Sequence, residues 1–451
     1  MSEDVTLDEF VKQESDASET ERDELARKTV CGIPPQDWNI ARLGEVVRVV
    51  SGNSLPTKYQ NGNKGKHPVY KVSDMNATGN QKYVSNSSNR LPEGELDELN
   101  HTLYPEGTTI LPKVGAALLT NKRRMLTEPS SFDNNVMGWV PDEINPEFLY
   151  YVSCMIDMEA VAQKGAVPSI SKAIAKSLKL PSPPLSEQRK IATVLYTVDQ
   201  AIEKTEETIE QSKKIGRGLR HSLFTEGYYE HETESYGTLG EVPVSWEKTR
   251  LYKIADVARG KFTHRPRNDP NFYGGEYPFI QTGEVVDAVG ELTDFSQTLN
   301  EKGRGVSKEF APGTIIITIA GNIGDTAVAT FPVYFPDSLV GITPDEETDE
   351  RFLEHFLRYR QDFLNRLSTK TTQKNLNLTL LRPVEVVKPP LDEQKEIADV
   401  LSTVDNQIKK EKEYKSHLQR LKHGLMQDLL SGTVRTTDTT IEVPDEIKQY
   451  G

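Results

Sequence analysis

Two stretches of the chain concentrate cationic, amide and aromatic side chains beside glycines. They are SLPTKYQNGNKGKH (Ser54–His67) and ARGKFTHRPRN (Ala258–Asn268). Lysine and arginine bind phosphate oxygens, and arginine and asparagine also form paired hydrogen bonds with base edges. Such residues in loops therefore indicate nucleic-acid binding. The candidate contacts are Lys58, Tyr59, Asn61, Lys64, Lys66, Arg259, Lys261, His264, Arg265, Arg267 and Asn268.

Two further segments carry the same residue types. NKRRM contains Lys122, Arg123 and Arg124, and QKNLN contains Lys374 and Asn375. For any single one of these residues, the alternative is an ordinary solvated position in a loop. For each cluster as a whole, we favour the interpretation that at least one member contacts a nucleic acid, because several donors share each short segment.

Motifs for catalysis are missing from the sequence. It contains neither a Gly-x-Gly-x-x-Gly segment nor a P-loop, so neither dinucleotide nor ATP binding is indicated. It also lacks the Asn-Pro-Pro-aromatic motif of the familiar adenine amino-methyltransferases. The eight histidines are scattered, without His-Glu-x-x-His or cysteine pairs, and no zinc site is predicted. We therefore expect no catalytic residues and no metal site.

The elements that must position the loops are visible as a duplication. PLSEQRKIATVLYTVDQAI (Pro184–Ile202) and PLDEQKEIADVLSTVDNQI (Pro390–Ile408) align without a gap and are identical at 12 of 19 positions. A proline before each stretch bars a helix upstream, and Ser186 and Asp392 are suitable N-caps. The chain therefore contains two copies of one unit, each ending in a helix.

Apolar residues in these helices recur at alternating steps of four and three. This period of about 3.5 is typical of a coiled coil, and about 40 residues would form a helix roughly 60 Å long. Polar residues interrupt both seams, which favours pairing of the two helices. The alternative is that each helix packs on its own domain. The predicted seam of the first helix is Ile191, Leu195, Val198 and Ile202, continuing to Ile209, Leu219 and Leu223. That of the second helix is Ile397, Leu401, Val404 and Ile408, continuing to Leu418, Leu421, Leu425 and Leu429.

The remaining chain repeats a pattern of short strands and helices, with Trp246 matching Trp38 and Gly260 matching Gly52. This predicts an α+β fold with two similar domains in tandem, separated and held by two long helices. The predicted boundaries are an acidic, disordered or loosely helical tail at 1–30, a first domain at 31–184, a first long helix at 185–227, a linker at 228–236, a second domain at 237–390, a second long helix at 391–432 and a C-terminal tail at 433–451.

Composition limits the class of protein. The net charge of −14 is concentrated partly in residues 1–30, which hold 10 acidic and 4 basic side chains. The balance neither requires nor excludes nucleic acid, so local basic clusters would have to bind it. Only two cysteines occur, no apolar run could span a membrane, and the N-terminus does not resemble a signal peptide. We expect a cytoplasmic protein.

The sequence resembles the specificity (S) subunits of type I restriction–modification systems from Ile33 to Arg435. The resemblance is carried by PPLSEQRKIA and PPLDEQKEIA at the helix starts, GLMQDLLSGTVR (Gly424–Arg435), GTLGEVPVSW (Gly237–Trp246) and GTIIITIAGNIG (Gly313–Gly324). One departure concerns the shape of a loop and not the domain. The first domain has LPKVGAAL where the second has ITIAGNIG, so it lacks the glycine pair.

The resemblance implies a role and a set of partners. Two target-recognition domains would each read half of a split site in double-stranded DNA, and the antiparallel coiled coil would set their spacing. It would dock two modification (M) subunits, with restriction (R) subunits joining them. S-adenosylmethionine, ATP and Mg would bind the partner subunits and none of them this chain. Because the two basic loops differ, the target would be asymmetric. The alternatives are a coiled-coil adaptor without sequence readout and a stand-alone DNA methyltransferase or nuclease.

Overall fold

The structure, a computed structural model, describes residues 27–62, 65–163, 165–288, 290–368 and 375–448. These residues form two compact units, and each long helix contributes to both. The first unit contains the described residues up to Glu203 together with those from His417 onward, and the second contains Lys204–Ser416. Residues 1–26 of the predicted acidic tail lie outside the described residues. Within the described ranges, no helix is long and apolar enough to cross a membrane.

The first unit begins with a mixed α/β segment. Its strands are β1 (Asn39–Arg42), β2 (Val47–Ser51), β3 (His67–Tyr70), β4 (Tyr83–Val84), β5 (Arg90–Leu91), β6 (Thr109–Pro112), β7 (Arg124–Leu126), β8 (Ser131–Phe132), β9 (Val136–Pro141) and β10 (Lys179–Ser182). Its helices are α1 (Leu43–Val46), α2 (Glu93–Glu98), α3 (Ala116–Leu119), α4 (Pro146–Cys154), α5 (Met158–Val161) and α6 (Lys172–Ser177). The chain then enters the long helix α7 (Leu185–Thr225).

The second unit repeats this series. Its strands are β11 (Thr233–Tyr236), β12 (Gly240–Pro243), β13 (Glu247–Arg250), β14 (Ala255–Arg259), β15 (Tyr273–Pro278), β16 (Glu291–Leu292), β17 (Thr298–Leu299), β18 (Glu309–Phe310), β19 (Ile315–Thr318), β20 (Thr326–Ala329), β21 (Val333–Tyr334), β22 (Leu339–Pro344) and β23 (Glu385–Lys388). Its short helices are α8 (Leu251–Ile254), α9 (Thr282–Asp287), α10 (Glu301–Gly305), α11 (Glu350–Tyr359), α12 (Gln361–Ser368) and α13 (Leu378–Leu381). The second long helix is α14 (Leu391–Ser431), and α15 (Asp445–Lys448) follows it.

The main sheets of the two units share one topology. The strand order is β2-β9-β6-β7-β4 in the first and β14-β22-β19-β20-β16 in the second, antiparallel except for the last pair in each. Their central strands are continuous apolar runs such as IIIT in β19, because both faces of these strands are buried. The matching order confirms the predicted α+β fold in two copies.

Two segments differ from the sequence expectation. Part of the predicted linker forms β11, which pairs with β12 as a hairpin. After β6 the small-residue turn becomes the single-turn helix α3, whereas after β19 it is a turn with two glycines, Gly321 and Gly324, at positive φ. Only glycine adopts that conformation at little cost, so the missing glycine pair does change the shape of this loop.

The two long helices run antiparallel in each unit. The first unit holds the start of α7 and the end of α14, and the second holds the end of α7 and the start of α14. Ion pairs join the helices, with Lys422 Nζ 2.5 Å from Asp199 Oδ1 in the first unit. In the second unit, Lys415 Nζ lies 2.7 Å from Glu206 Oε1 at a position where a polar residue interrupts the predicted seam.

The predicted seam is buried most completely where each helix begins. Ile191, Leu195, Ile397 and Leu401 are fully buried and Ile408 nearly so, whereas Val198, Ile202 and Val404 are half-buried. The fully buried residues belong to the domain cores as well as to the helix pair. Both packing alternatives are therefore true at once, because each helix start packs on its own domain and also against the end of the other helix.

One seam residue was predicted wrongly. Leu421 is 52% exposed, although Leu418 and Leu429, in the same predicted seam, are buried. A straight α-helix drifts relative to a 3.5-residue repeat, so a strict heptad cannot keep every position on one face. In the same turn, Lys422 is directed inward to Asp199.

A buried glutamate at the start of each long helix ties its domain to the end of the other helix. In the first unit, the Trp38 indole donates to Glu187 Oε2 at 3.0 Å. Arg435, which follows α14, donates to both oxygens of Glu187 at 2.9 Å and also binds Asp37. The C-terminal tail is therefore docked on the first unit here.

The second unit reproduces this arrangement with a different cation. The Trp246 indole donates to Glu393 Oε2 at 3.0 Å, and His231, which follows α7, lies 2.8 Å from Oε1. The Tyr228 amide donates to the same oxygen at 3.0 Å. Both oxygens of each helix-start glutamate thus have donors, as a carboxylate buried to 2% exposure requires.

The glutamine beside each helix-start glutamate makes a second joint. Gln188 Oε1 accepts from the amide of Asn145, the N-cap of α4, at 2.9 Å. Gln394 Oε1 accepts in the same way from Asp349, the N-cap of α11, at 2.9 Å. In each domain, the glutamate therefore holds the tryptophan that precedes β1 or β13, and the glutamine holds the start of α4 or α11. Both contacts attach the domain to its long helix.

An aspartate farther along each long helix accepts two cations, one from its domain and one from the opposite helix. Asp199 binds Lys82 and Lys422 at 3.1 and 2.5 Å. Asp405 binds Arg358 and Arg220 at 2.5 and 2.8 Å. These helix aspartates join three elements in each unit, at a half-buried charge for Asp199 and a buried one for Asp405.

We predict that Glu187→Gln lowers the free energy of unfolding of the first unit by about 2–4 kcal/mol. Arg435 loses its buried carboxylate partner, and the NH2 group of the new glutamine faces other hydrogen-bond donors. Urea unfolding followed by circular dichroism measures the change. Glu203→Gln, an exposed change on the same helix, should stay within about 0.5 kcal/mol. Equal effects of the two variants would contradict the role of Glu187.

Acid should weaken the same joint. Burial raises the pKa of Glu187, but the hydrogen bonds from Arg435, Trp38 and Thr436 outweigh it and hold the pKa below its ordinary value. A depressed carboxyl pKa stabilises the fold above the unfolded pKa of about 4.3 and loses that contribution as pH falls through the folded pKa. We expect unfolding free energy to fall below about pH 4.5 in the wild type, and less steeply in Glu187→Gln. Parallel pH profiles would contradict this.

Candidate nucleic-acid interface

The two basic loops leave the same end of the two main sheets. Each follows the edge strand, β2 or β14, and begins with a glycine, half-buried at Gly52 and buried at Gly260. A Cβ on Gly52 would lie 1.9 Å from the carbonyl oxygen of Phe132, and one on Gly260 would lie 2.3 Å from that of Pro336. Only glycine permits this backbone crossing, which presses each loop onto the segment that precedes β9 or β22.

The loop of the second unit stands on an aromatic platform. Phe262, 2% exposed, packs in a small cluster with Phe279, Leu299 and Tyr334. Its carbonyl accepts from Arg265 Nη1 at 2.5 Å, and the same nitrogen donates to the carbonyl of His264 at 2.8 Å. The loop therefore has internal support that holds its outer side chains in place.

Three arginines of this loop meet at one aspartate. Arg267 pairs with the Asp337 carboxylate, and Arg265 Nη2 lies 3.6 Å from it. Arg259 Nε donates to the backbone carbonyl of Asp337 at 2.6 Å. The side chains of Arg265, Arg267 and Asp337 are 52%, 44% and 42% exposed, so a ligand in solution can reach all three.

The other predicted residues of the second unit are spread around this group. Lys261 and Asn268 are exposed. The His264 ring stacks on Phe272 at 4.0 Å between centroids, and its Nε2 lies 3.0 Å from Asp269. Asn375 forms a backbone bridge to Ala320. Lys374 lies outside the described residues.

The loop of the first unit is built differently. Lys58, exposed by 69%, lies 4.4 Å from the Tyr59 ring centroid and 3.9 Å from Glu98 Oε1. Asn61 and Lys66 are exposed, and the Asn61 backbone is left-handed. Lys64 lies outside the described residues. The first loop thus presents lysines and amides where the second presents arginines.

The NKRRM segment requires a correction. Arg123 is 2% exposed and donates to the carbonyls of Ser153 and Ile156 at 3.1 and 2.7 Å, so it caps the end of α4. Arg124 is half-buried and donates to the carbonyl of Met75 at 2.7 Å. Burial lowers the pKa of both guanidinium groups. We therefore remove Arg123 from the candidate contacts.

Of this segment, Arg124 and Lys122 keep only partial access. The Lys122 ammonium donates to Asn76 Oδ1, so this side chain also has an internal partner. A run of three cations looks like a solvated patch in the sequence, but carbonyls at a helix end attract guanidinium groups just as phosphates do. Residues at the end of a neighbouring helix cannot be foreseen from the run alone.

Sequence reasoning missed Asp337. This residue lies 70 positions after Arg267, and one acidic residue among 68 carries no signal by itself. The repeat held a clue, because NNVMGWVP and DSLVGITP align Asn134 with Asp337. An acid present only in the copy that has the arginine-rich loop could have suggested an ion pair.

Among the residues that the structure describes, no group of three or more His, Cys, Asp or Glu side chains could hold a metal ion. The exposed lysine, arginine and asparagine side chains of the two loops offer hydrogen-bond donors and positive charge.

Comparison with known proteins gives one family. The model of the type I restriction modification DNA specificity domain matches twice, at residues 35–211 and 243–420. Each match begins in a domain and ends within a long helix. The two matches cover more than half of the chain and coincide with its two structural copies.

Individual proteins agree with that family. The type I restriction enzyme MjaVIII specificity subunit of Methanocaldococcus jannaschii is 24% identical over 418 residues, which are 89% of this chain and 94% of that protein. A solved S subunit of a type I restriction-modification system from M. genitalium has a TM-score of 0.55 at 16% identity, over 87% and 96% of the two chains. A chain from a study of complex assembly in the type I R-M system has a TM-score of 0.53 at 20% identity, over 89% and 99%.

We predict that Gly260→Ala destabilises the second unit by about 1–3 kcal/mol, because the added Cβ collides with backbone that cannot move aside cheaply. Urea unfolding measures the change. Gly283→Ala is the matched control, since a Cβ there has no neighbour within 4 Å and should be neutral or slightly stabilising. A neutral Gly260→Ala would show that the loop crossing is not tight.

Proposed function

The chain belongs to the type I restriction modification DNA specificity family, and we propose that it reads a bipartite, asymmetric site in double-stranded DNA. One observation carries this proposal. The two copies place basic loops at equivalent ends of equivalent sheets, yet one loop presents lysines and amides and the other arginines around an aspartate. Equal scaffolds with unequal contact surfaces suit two different half-sites.

The proposed recognition domains are residues 31–184 and 237–390, with long helices at 185–227 and 391–432. The helix-start glutamates and helix aspartates fix each domain on both helices, which suits a device that sets the spacing of two half-sites. Specificity subunits assemble into complexes with other subunits. For this chain we propose two modification subunits docked on the helix pair, with restriction subunits joining them.

Catalysis belongs to those partners. We propose that S-adenosylmethionine, ATP and Mg bind the modification and restriction subunits and that this chain binds none of them. The family relatives carry the name specificity subunit, which distinguishes recognition from the reaction. We further propose that the complex acts in the cytoplasm, where its DNA target lies.

Experiments can distinguish two other functions from recognition. A coiled-coil adaptor without readout would need the helices and would not need the loops to differ. A stand-alone methyltransferase or nuclease would transfer methyl groups or cut DNA without partners. The unequal loops on equal sheets favour recognition over both.

We predict that the chain, co-expressed with its modification subunits, directs adenine methylation to a split motif. Single-molecule sequencing of the host DNA would reveal that motif. Exchanging residues 31–184 for the matching domain of another specificity subunit should change one half of the motif and leave the other half intact. Methylation without sequence preference would refute recognition, and methyl transfer by the purified chain alone would favour the enzyme alternative.

A further inference from the structure

We propose that Asp337 is a specificity-determining residue that occupies the DNA-phosphate position between the arginines of the second loop and so disfavours non-target DNA. This inference rests on the proposed function and deepens it. It names a residue of the second unit that acts against binding, whereas the predicted contacts all act for it.

A carboxylate and a phosphate present similar oxygens to a guanidinium group. Arginine binds both through the same planar set of donors. Arg265 and Arg267 converge on the Asp337 carboxylate, while Arg259 is held by the backbone carbonyl of the same residue. Asp337 therefore satisfies, in the absence of DNA, the donors that a phosphate would use.

The exchange is feasible because the group is exposed. All three side chains of the ion-pair group remain 42–52% accessible to solvent, so Arg267 can turn outward and Arg265 can offer Nη2 to a ligand while its Nη1 stays on the loop carbonyls. Ion pairs this exposed are weak and break readily. The platform under the loop does not depend on Asp337, because Phe262 and the glycine crossing at Gly260 hold it.

The unpaired carboxylate then repels the incoming backbone. When the arginines leave for DNA, Asp337 stays beside β22 within reach of the same phosphates, and like charges oppose contact. On the target, the arginines can turn to base edges, whereas non-target DNA offers them only phosphates, so the repulsion acts mainly against non-target DNA. The result is a larger difference between target and non-target affinities, which is how specificity arises.

The first unit supports the pairing of this acid with arginines. The residue that matches Asp337 there is Asn134, which is exposed and neutral, and the matching loop contains no arginine. Lysine meets a phosphate as a point charge and cannot form a planar, forked contact with a carboxylate. The chain thus has an acid at this position only where the loop facing it carries arginines.

The test measures DNA affinity of the complex assembled with its modification subunits. Two duplexes of equal length are compared. One carries the motif that the complex methylates, and the other carries the same bases in scrambled order. The complex with Asp337→Asn should bind the scrambled duplex about three- to tenfold more tightly than the wild type does. Its preference for the motif over the scrambled duplex should fall by a similar factor. The salt dependence of its DNA affinity should be steeper by the equivalent of about one phosphate contact. Asp294→Asn, an exposed change of equal charge in the same unit, should leave discrimination unchanged.

A structural role for Asp337 predicts the opposite sign. If it only held the loop in place, Asp337→Asn would weaken binding to both duplexes, and that result would overturn the proposal. Equal gains in Asp337→Asn and Asp294→Asn would also overturn it, because they would reflect net charge. Adding Arg267→Ala to Asp337→Asn should remove most of the gain, since Arg267 forms the closer of the two pairs with Asp337 and would no longer be there to be released.

The same assay separates this inference from the function beneath it. A wild-type complex without preference for the methylated motif would refute the proposed function. A wild-type complex with preference, unchanged in Asp337→Asn, would refute only the role of Asp337. Should Asp337→Asn fail to assemble, Asp337→Ser provides the same loss of charge with a smaller side chain and the same expected gain on scrambled DNA.

Discussion

A carboxylate that leaves water needs donors for both of its oxygens, and the start of each long helix buries one such group. Glu187 and Glu393 obtain those donors from an indole of their own domain and from the segment that follows the opposite helix. Breaking a buried pair of this kind costs several kcal/mol because the remaining group stays uncompensated. The domains, the helix pair and the docked tail all depend on this joint.

The two units meet the same electrostatic demand with different residues. At the helix aspartates, the first domain supplies Lys82 from the segment before β4, and the second supplies Arg358 from α11. At the helix-start glutamates, Arg435 in one unit corresponds to His231 in the other. What the two copies share is the position of the acidic side chains on the long helices, while the residue that neutralises each of them varies.

The sequence was most informative where spacing alone determines structure. The duplication, the long helices and the burial of Ile191 and Leu401 follow from periodicity, because an amphipathic helix must bury its apolar face. Long-range polar contacts were not accessible in this way. Nothing local to Arg123 shows that the end of α4 lies beside it, and nothing local to Asp337 shows that arginines converge there. The positions of the basic loops were predicted, but which side chains remain free was not.

The helix aspartates carry a consequence for building hybrid proteins. A recognition domain grafted from a relative onto these helices would bring its own surface against Asp199 or Asp405. The graft would be compatible only if it delivered a cation to that spot, from whichever part of its chain. A donor domain with an apolar residue there would leave the aspartate with only the cation of the opposite helix. The resulting loss of stability would look like poor folding although every contact to the target was intact.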